Sequence, residues 1–208
     1  MTTLHDCINK FLLKIFDTLI DSFIADEVGI AENFLSKSLA AHLQENLKTL
    51  YQNQLLLHAG TGNEPLTLHD RAVRSDKIYW LDSAHHDRYE DDFFKKIDHF
   101  VSYLNTTCYT GITGYEFHYA LYEKGSFYKK HLDQFRSNES RKYSMILYLN
   151  ADWQQGDGGE LCIHHESCLQ NIIPTMGKSV FFKSSEILHE VLLSNKPRMS
   201  ITGWLKVN

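Results

Sequence analysis

The chain has 208 residues, 43% of them hydrophobic, and a formal net charge of −5 at pH 7. That length fits one globular domain with room for a substantial core and would cramp two equal ones. An acidic balance without a dense Lys/Arg block lacks the electrostatic footprint of a nucleic-acid binder, and no run of about 18 apolar residues is present to span a membrane.

Taken in chain order, Leu4, Ile8, Phe11, Leu12, Ile15, Phe16 and Leu19 recur at helical spacing and predict an amphipathic helix over residues 4 to 20. Charges at Asp6, Lys10, Lys14 and Asp17 interrupt its apolar residues, so it lacks the hydrophobic run of a signal peptide. The following SFIADEV reads as extended. A second helix is expected from Glu32 to Tyr51 and a third from Tyr89 to Leu104, with a loop between them that leads into a strand near Ile78, Trp80 and Leu81. From Thr113 onward the texture changes to short β-branched or aromatic runs: YEFHYALYE, KYSMILYLN, GELCIH, KSVFF, HEVLL and MSITGWLKV. Helices followed by many short strands predict an α+β fold whose sheets close into a sandwich or barrel.

Cys7, Cys108, Cys162 and Cys168 are scattered and form no CxxC pair, which points to reduced thiols and a cytoplasmic location. Cys162, Cys168 and His164 lack a fourth partner at structural-zinc spacing, so no zinc site is expected there. The adjacent pairs His85-His86 and His164-His165 would point to opposite faces of a strand and read as surface residues.

His131 and Asp133 stand two apart, so on an extended segment both project from one face and can share a metal ion. A distal histidine would complete a facial triad with open positions on the ion, and His189 in SSEILHEVLL is the best-placed candidate. Arg198 follows nine residues later, across a KP turn. Alternation sends Arg198, Ser200, Thr202 and Trp204 to one face and Met199, Ile201 and Gly203 to the other. A guanidinium inside a barrel is costly unless paired, either with a dicarboxylate ligand or with an internal Asp or Glu.

These residues resemble the 2-oxoglutarate/Fe(II)-dependent dioxygenases, in particular the prolyl-4-hydroxylase-like branch that includes the hypoxia-inducible-factor prolyl hydroxylases and their bacterial relatives. The pieces that carry the resemblance are RSDKIYWLD, HYALYEKGSFYKKHLDQF, RKYSMILYLNADWQQGDGGELCIH and PTMGKSVFFKSSEILHEVLLSNKPRMSITGWL. The resemblance implies a double-stranded β-helix (jelly-roll) core over residues 113–208. Residues 1–112 would be a helical support region of the same domain, with a substrate-covering loop near 58–88. It implies iron(II) on His131, Asp133 and His189, and 2-oxoglutarate on Arg198 with Tyr148 and Thr202. Tyr122 and Tyr128 would line the pocket, although the spacing from Tyr122 to His131 is one residue shorter than in human-like members. Arg74, Asp76 and Trp80 would form the base of the mobile loop over the substrate, and Trp204 would lie behind the iron.

From the residues alone, the alternative for Tyr148 is a core tyrosine, with the co-substrate role the favoured reading, and the alternative for Gly158-Gly159 is a plain turn. The implied reaction is hydroxylation of a C–H bond, a prolyl residue in a protein first of all, with O2 as co-substrate, succinate and CO2 as co-products and ascorbate in support. A translation elongation factor is one implied partner, and the chain would be a monomer or homodimer. The alternatives are a small-molecule or free amino acid hydroxylase, a nucleic-acid demethylase, and a non-catalytic jelly-roll module. The demethylase reading is disfavoured by Trp204, which stands where that branch carries a second Arg.

Overall fold

The computed structural model describes residues 4–60, 72–134 and 139–207, with side chains in the first helix described from Leu12 onward. Helix α1 spans Leu4–Asp26, six residues beyond its expected end. Phe23 explains the extension, because it continues the stripe of Phe16 and Leu19 and packs edge-on against Phe181 at 5.3 Å and Tyr143 at 6.2 Å. Glu27, at φ 61°, reverses the chain, so SFIADEV is mostly helix and only Val28 begins an extended run.

Strand β1 (Val28–Ala31) follows. Helix α2 (Lys37–Gln52) starts five residues later than expected, at the N-cap Ser36, whose hydroxyl accepts from the Leu39 amide. Phe34 and Leu35 are core residues that precede the helix. Short strands β2 (Leu57–His58) and β3 (Lys77–Trp80) pair antiparallel, and a 3₁₀ turn at Ser83–His85 leads to helix α3 (Arg88–Thr107). Asp87 caps α3 by accepting the Tyr89 and Glu90 amides, and Asn46 of α2 donates to the same carboxylate, which ties the two helices together.

The rest of the chain is strand: β4 (Gly114–Tyr122), β5 (Tyr128–His131), β6 (Arg141–Tyr148), β7 (Leu161–His164), β8 (Leu169–Ile172), β9 (Ser179–Lys183), β10 (Leu188–Val191) and β11 (Arg198–Lys206). Among the described residues they form a seven-stranded sheet, β1-β9-β6-β11-β4-β3-β2, and a four-stranded sheet, β5-β10-β7-β8, with all pairings antiparallel. This is the expected α+β jelly-roll with supporting helices. Strands β1 to β3 show that the residues before 113 add to the large sheet as well as covering it with helices.

Alternation sorts two cores. On β4, Phe117, Tyr119 and Leu121 turn toward the helices and join Phe16, Leu43, Phe93 and Phe100, while Ala120 and Tyr122 turn toward the small sheet and join Leu161, Ile163 and Val191. The candidate site lies between the two sheets.

One lysine sits awkwardly in the first core. Lys96 lies 5.5 Å over the rings of both Phe16 and Phe34, and burial pushes its ammonium down to about 8. A base with a lowered folded pKa weakens the fold while it is charged. The cost is therefore fully present below about pH 8 and fades as pH rises toward the ordinary lysine value of 10.5. Lys96→Met is expected to add on the order of 1 kcal/mol, or about 2–4 °C in melting temperature at pH 7. The gain should shrink in thermal melts above pH 10, and a gain unchanged by pH would show that desolvation of the charge is not the cause.

Candidate active site between the sheets

Strand register brings two histidines face to face. In the small sheet His189 of β10 is the direct partner of His131 of β5, and Asp133 lies two residues past the β5 histidine. His131 Nδ1 lies 2.7 Å from the Lys129 carbonyl and His189 Nδ1 lies 3.0 Å from the Ile187 carbonyl. A carbonyl only accepts, so each Nδ1 carries a proton and Nε2 is the ring nitrogen left to ligate. Those Nε2 atoms converge on one carboxylate, His131 at 3.4 Å from Asp133 Oδ1 and His189 at 3.7 Å from Asp133 Oδ2. The donor atoms lie within 4.8 Å of one another, so the three residues can hold one metal ion.

The carboxylate is held from behind. Ser144 Oγ donates to Asp133 Oδ2 at 2.6 Å and lies 2.9 Å from Ser184 Oγ. Burial alone would raise the Asp133 carboxyl, but the facing His189 and His131 rings and the Ser144 hydroxyl together hold it well below the usual carboxylate range. Burial also pushes His189 down to about 4, which keeps that ring neutral and ready to ligate.

These groups open into a cavity of about 970 Å³, whose wall also includes Arg74, Trp80, His118, Tyr122, Tyr128, Arg198, Thr202 and Trp204. Arg198 is 1% exposed, and among the described residues it pairs with no carboxylate. Its Nε donates to the Gly159 carbonyl at 2.7 Å, and its guanidinium lies 4.9 Å from the Tyr122 ring centre and 5.0 Å from that of Tyr148. Arg198 Nη2 and the Tyr148 hydroxyl are both buried, and neither has a hydrogen-bond partner of good geometry among the described residues. Unpaired buried donors are costly, so this pair fits an anionic ligand that completes them, as the distal carboxylate of 2-oxoglutarate would. Thr202 lies four residues along the same face of β11.

Gly158 and Gly159 are more than a turn. Both have positive φ, and a Cβ on Gly159 would come within 2.8 Å of Ser194 Oγ and 3.1 Å of Arg198 Cδ. The absence of a side chain lets the Gly159 carbonyl reach the guanidinium.

Around the mouth, Tyr128 stacks on His131 with 3.6 Å between ring centres, and Arg74 covers the other side of Tyr128 at 4.3 Å. Arg74 makes a two-pronged ion pair with Asp76, Nε to Oδ1 at 2.8 Å and Nη2 to Oδ2 at 2.6 Å. Arg74 lines the cavity, whereas Asp76 is buried behind it and does not. Trp80 is 46% exposed on the rim and meets His118 at 5.0 Å. Of the expected covering loop, β2, β3 and the 3₁₀ turn are described, while residues 61–71 lie outside the described residues. Tyr148 sits behind Arg198 and does not line the cavity.

Sequence reasoning passed over His118 and Ser144. His118 was legible in principle, because on β4 it shares the face of Ala120 and Tyr122. Burial pushes it down to about 4, so it enters the cavity wall as a neutral imidazole. Ser144 carries no local signal; only the fold brings β6 behind Asp133.

Residues 117–206 match the model of the 2OG-Fe(II) oxygenase superfamily. A Pseudomonas putida prolyl-4-hydroxylase of known crystal structure is 29% identical and superposes with a TM-score of 0.83, covering 93% of this chain and 99% of that one. The prolyl hydroxylase of Trichoplax adhaerens, solved with a peptide fragment of the hypoxia inducible factor oxygen degradation domain, shares the fold at 22% identity and a TM-score of 0.83, over 95% of this chain and 91% of that one. Prolyl 3-hydroxylase OGFOD1 of Xenopus laevis is 31% identical over 77 residues, which are 32% of this chain and 15% of that protein's length. The resemblance to prolyl-hydroxylase-like 2-oxoglutarate oxygenases is therefore borne out, and with it the requirement of that family for iron(II), 2-oxoglutarate and O2. No helix among the described residues is long and apolar enough to cross a membrane.

Proposed function

We propose that this chain, a 2OG-Fe(II) oxygenase superfamily sequence over residues 117–206, is a prolyl 4-hydroxylase that acts on a prolyl residue within a protein. The observation that carries the reading is the pairing of two features in one cavity: three converging metal donors and a buried guanidinium that has no carboxylate partner among the described residues.

His131, Asp133 and His189 would hold iron, and Arg198, with Tyr148 and Thr202, would hold the far carboxylate of 2-oxoglutarate. Bound together with O2 they supply the oxidation, in which one oxygen atom enters the substrate as hydroxyl, the other ends in succinate, and CO2 leaves. The chain's own contribution is positional. Two backbone carbonyls fix the histidine tautomers, Ser144 fixes the carboxylate, and Gly159 aims the guanidinium. Tyr122 and Tyr128 narrow the cavity between the two sites, and Arg74 and Trp80 form the side on which a substrate would enter and exclude water.

A cavity of about 970 Å³ exceeds what 2-oxoglutarate fills and leaves room for a peptide loop. The 4-position is favoured because the similarity to a prolyl-4-hydroxylase runs through 93% of the chain, while the match to a prolyl 3-hydroxylase is local. A translation elongation factor is a reasonable first substrate to try. The test is mass spectrometry of lysate proteins treated with the chain, iron(II), ascorbate and 2-oxoglutarate. The reading requires a one-oxygen gain on proline, identified as the 4-hydroxy isomer by amino-acid analysis. Gain only on small molecules, or on other residue types, would overturn it.

Trp80 separates substrate binding from the fold. Its indole is exposed and makes no hydrogen bond among the described residues, so Trp80→Ala is expected to raise the Michaelis constant for the protein substrate by roughly tenfold, about 1.4 kcal/mol, while 2-oxoglutarate affinity and melting temperature stay near those of the parent. Asp76→Asn breaks a buried ion pair and should lower melting temperature and every activity together. If Trp80→Ala behaved like Asp76→Asn, the rim would be a structural feature and not a substrate contact.

A further inference from the structure

The outer face of the small sheet carries a second set of donors, unrelated to the cavity. On β7, Leu161 and Ile163 point into the core between the sheets, so Cys162 and His164 point outward. Antiparallel register sets Glu190 of β10 opposite Cys162 and Leu188 opposite His164. His164 Nε2 lies 2.8 Å from Glu190 Oε1 and 3.9 Å from Cys162 Sγ, and the three donor atoms lie within 4.8 Å of one another. The Cys162 residue is buried, while the His164 and Glu190 side chains are 21% and 28% exposed, so the cluster opens to solvent on one side.

We propose that Cys162, His164 and Glu190 form a second metal site, for a zinc(II)-class divalent ion, with water as the fourth ligand. A tetrahedral ion with bonds of about 2.0 to 2.3 Å holds its ligands roughly 3.3 to 3.8 Å apart. The His164–Glu190 contact at 2.8 Å would have to open and the Cys162–His164 distance at 3.9 Å to close slightly, each by a few tenths of an ångström. On binding, the thiol gives its proton to solvent, and thiolate and carboxylate together balance the charge of the ion.

Two other roles for the cluster fit less well. A plain His–Glu ion pair leaves the thiol in the group unexplained. A redox-reactive cysteine needs a lowered thiol pKa, whereas burial and the neighbouring Glu190 push Cys162 up. Donor softness also sorts the two sites of the chain, since thiolate with imidazole selects zinc, whereas two histidines and a carboxylate suit iron(II). The expected fourth protein ligand is absent from the sequence pattern because Glu190 arrives by strand pairing and a water suffices for the remainder. Cys168 takes no part.

An ion here would clamp β7 to β10 one residue from His189, on the opposite face of the same strand. Zinc would therefore stiffen the strand that presents a catalytic ligand without entering the cavity.

The test uses the 208-residue chain with Cys7, Cys108 and Cys168 replaced by serine, so that Cys162 is its sole thiol. Cobalt(II) is titrated and followed by its thiolate charge-transfer absorption, to which an ion held by His131, Asp133 and His189 cannot contribute. The proposal requires a saturable band equivalent to one cobalt per chain, displaced by zinc. It also requires at least a tenfold loss of apparent affinity in both Glu190→Gln and His164→Ala, with 2-oxoglutarate affinity retained as evidence that the variants fold. Absence of the band in the parent would overturn the site, as would a band whose affinity neither substitution changes.

Discussion

Asp133→Ala is expected to abolish succinate formation from 2-oxoglutarate, the largest effect expected in this molecule. Asp133 is the sole anionic donor of the three, and both histidine Nε2 atoms converge on it. Removing partners that merely orient a metal ligand costs about 10 to 100-fold, so loss of the ligand itself should exceed about 100-fold. His131→Ala and His189→Ala should fall equally far. Unfolding is separable from the chemical loss by thermal melts: a carboxylate held below its usual range stabilises the fold, so some drop in melting temperature is expected, but a variant that still melts cooperatively shows the loss of activity to be chemical. Succinate measured by coupled assay, iron content measured on the purified variants and thermal melts together give the answer. Near-parental turnover in Asp133→Ala would remove that residue from the metal shell.

Arg198→Ala is expected to weaken 2-oxoglutarate binding by about 2 to 5 kcal/mol, the range for removing one partner of a buried charge pair, which is roughly 30-fold to several thousandfold. Arg198→Lys should recover little. An ammonium is a point charge, and it cannot donate to the Gly159 carbonyl while also offering a second, coplanar N–H to a carboxylate. Tyr148→Phe provides a milder companion, because it deletes a buried hydroxyl that lacks a partner among the described residues. If that hydroxyl donates to the ligand, affinity falls by about 1 to 3 kcal/mol; if it is only a core residue, the substitution is neutral or stabilising. Calorimetry with manganese(II) in place of iron keeps oxidation out of the measurement. Parental affinity in either Arg198 variant would assign the anchor to another residue.

What could be read from the sequence follows a physical rule: local period and short covalent spacing were legible, and register was not. His131 and Asp133 belong together because two residues of extended chain return a side chain to the same face. Arg198 and Thr202 share a face of β11 for the same reason, and the structure puts both in the cavity wall. The long strands β4, β6 and β11 announced themselves through unbroken β-branched and aromatic runs. Strand β8, with the sequence LQNI, has no such run and is defined by its pairing with β7. Residues 22–26 read as extended because Ser22, Ala25 and Asp26 dilute the stripe, yet Phe23 docks on Phe181 and holds the helix. Glu190 meets Cys162 and also His164, which lies 26 residues away from it, only because β7 and β10 pair in one register and not in its neighbour. Likewise the Arg74–Asp76 ion pair, Ser144 behind Asp133, and the need for glycine at position 159 are consequences of chain packing that no window of sequence contains.

If iron, 2-oxoglutarate and a protein prolyl residue meet in one cavity and react together, one oxygen molecule is divided between succinate and the hydroxylated residue. The most direct measurement follows the fate of isotopically heavy oxygen gas when the chain is incubated with iron(II), ascorbate, 2-oxoglutarate and lysate protein. The expected result is heavy oxygen in both succinate and 4-hydroxyprolyl residues, in a one-to-one ratio, with both products lost in Asp133→Ala. Prolyl oxidation that persists without 2-oxoglutarate, or heavy oxygen that reaches succinate while no protein residue gains any, would contradict it.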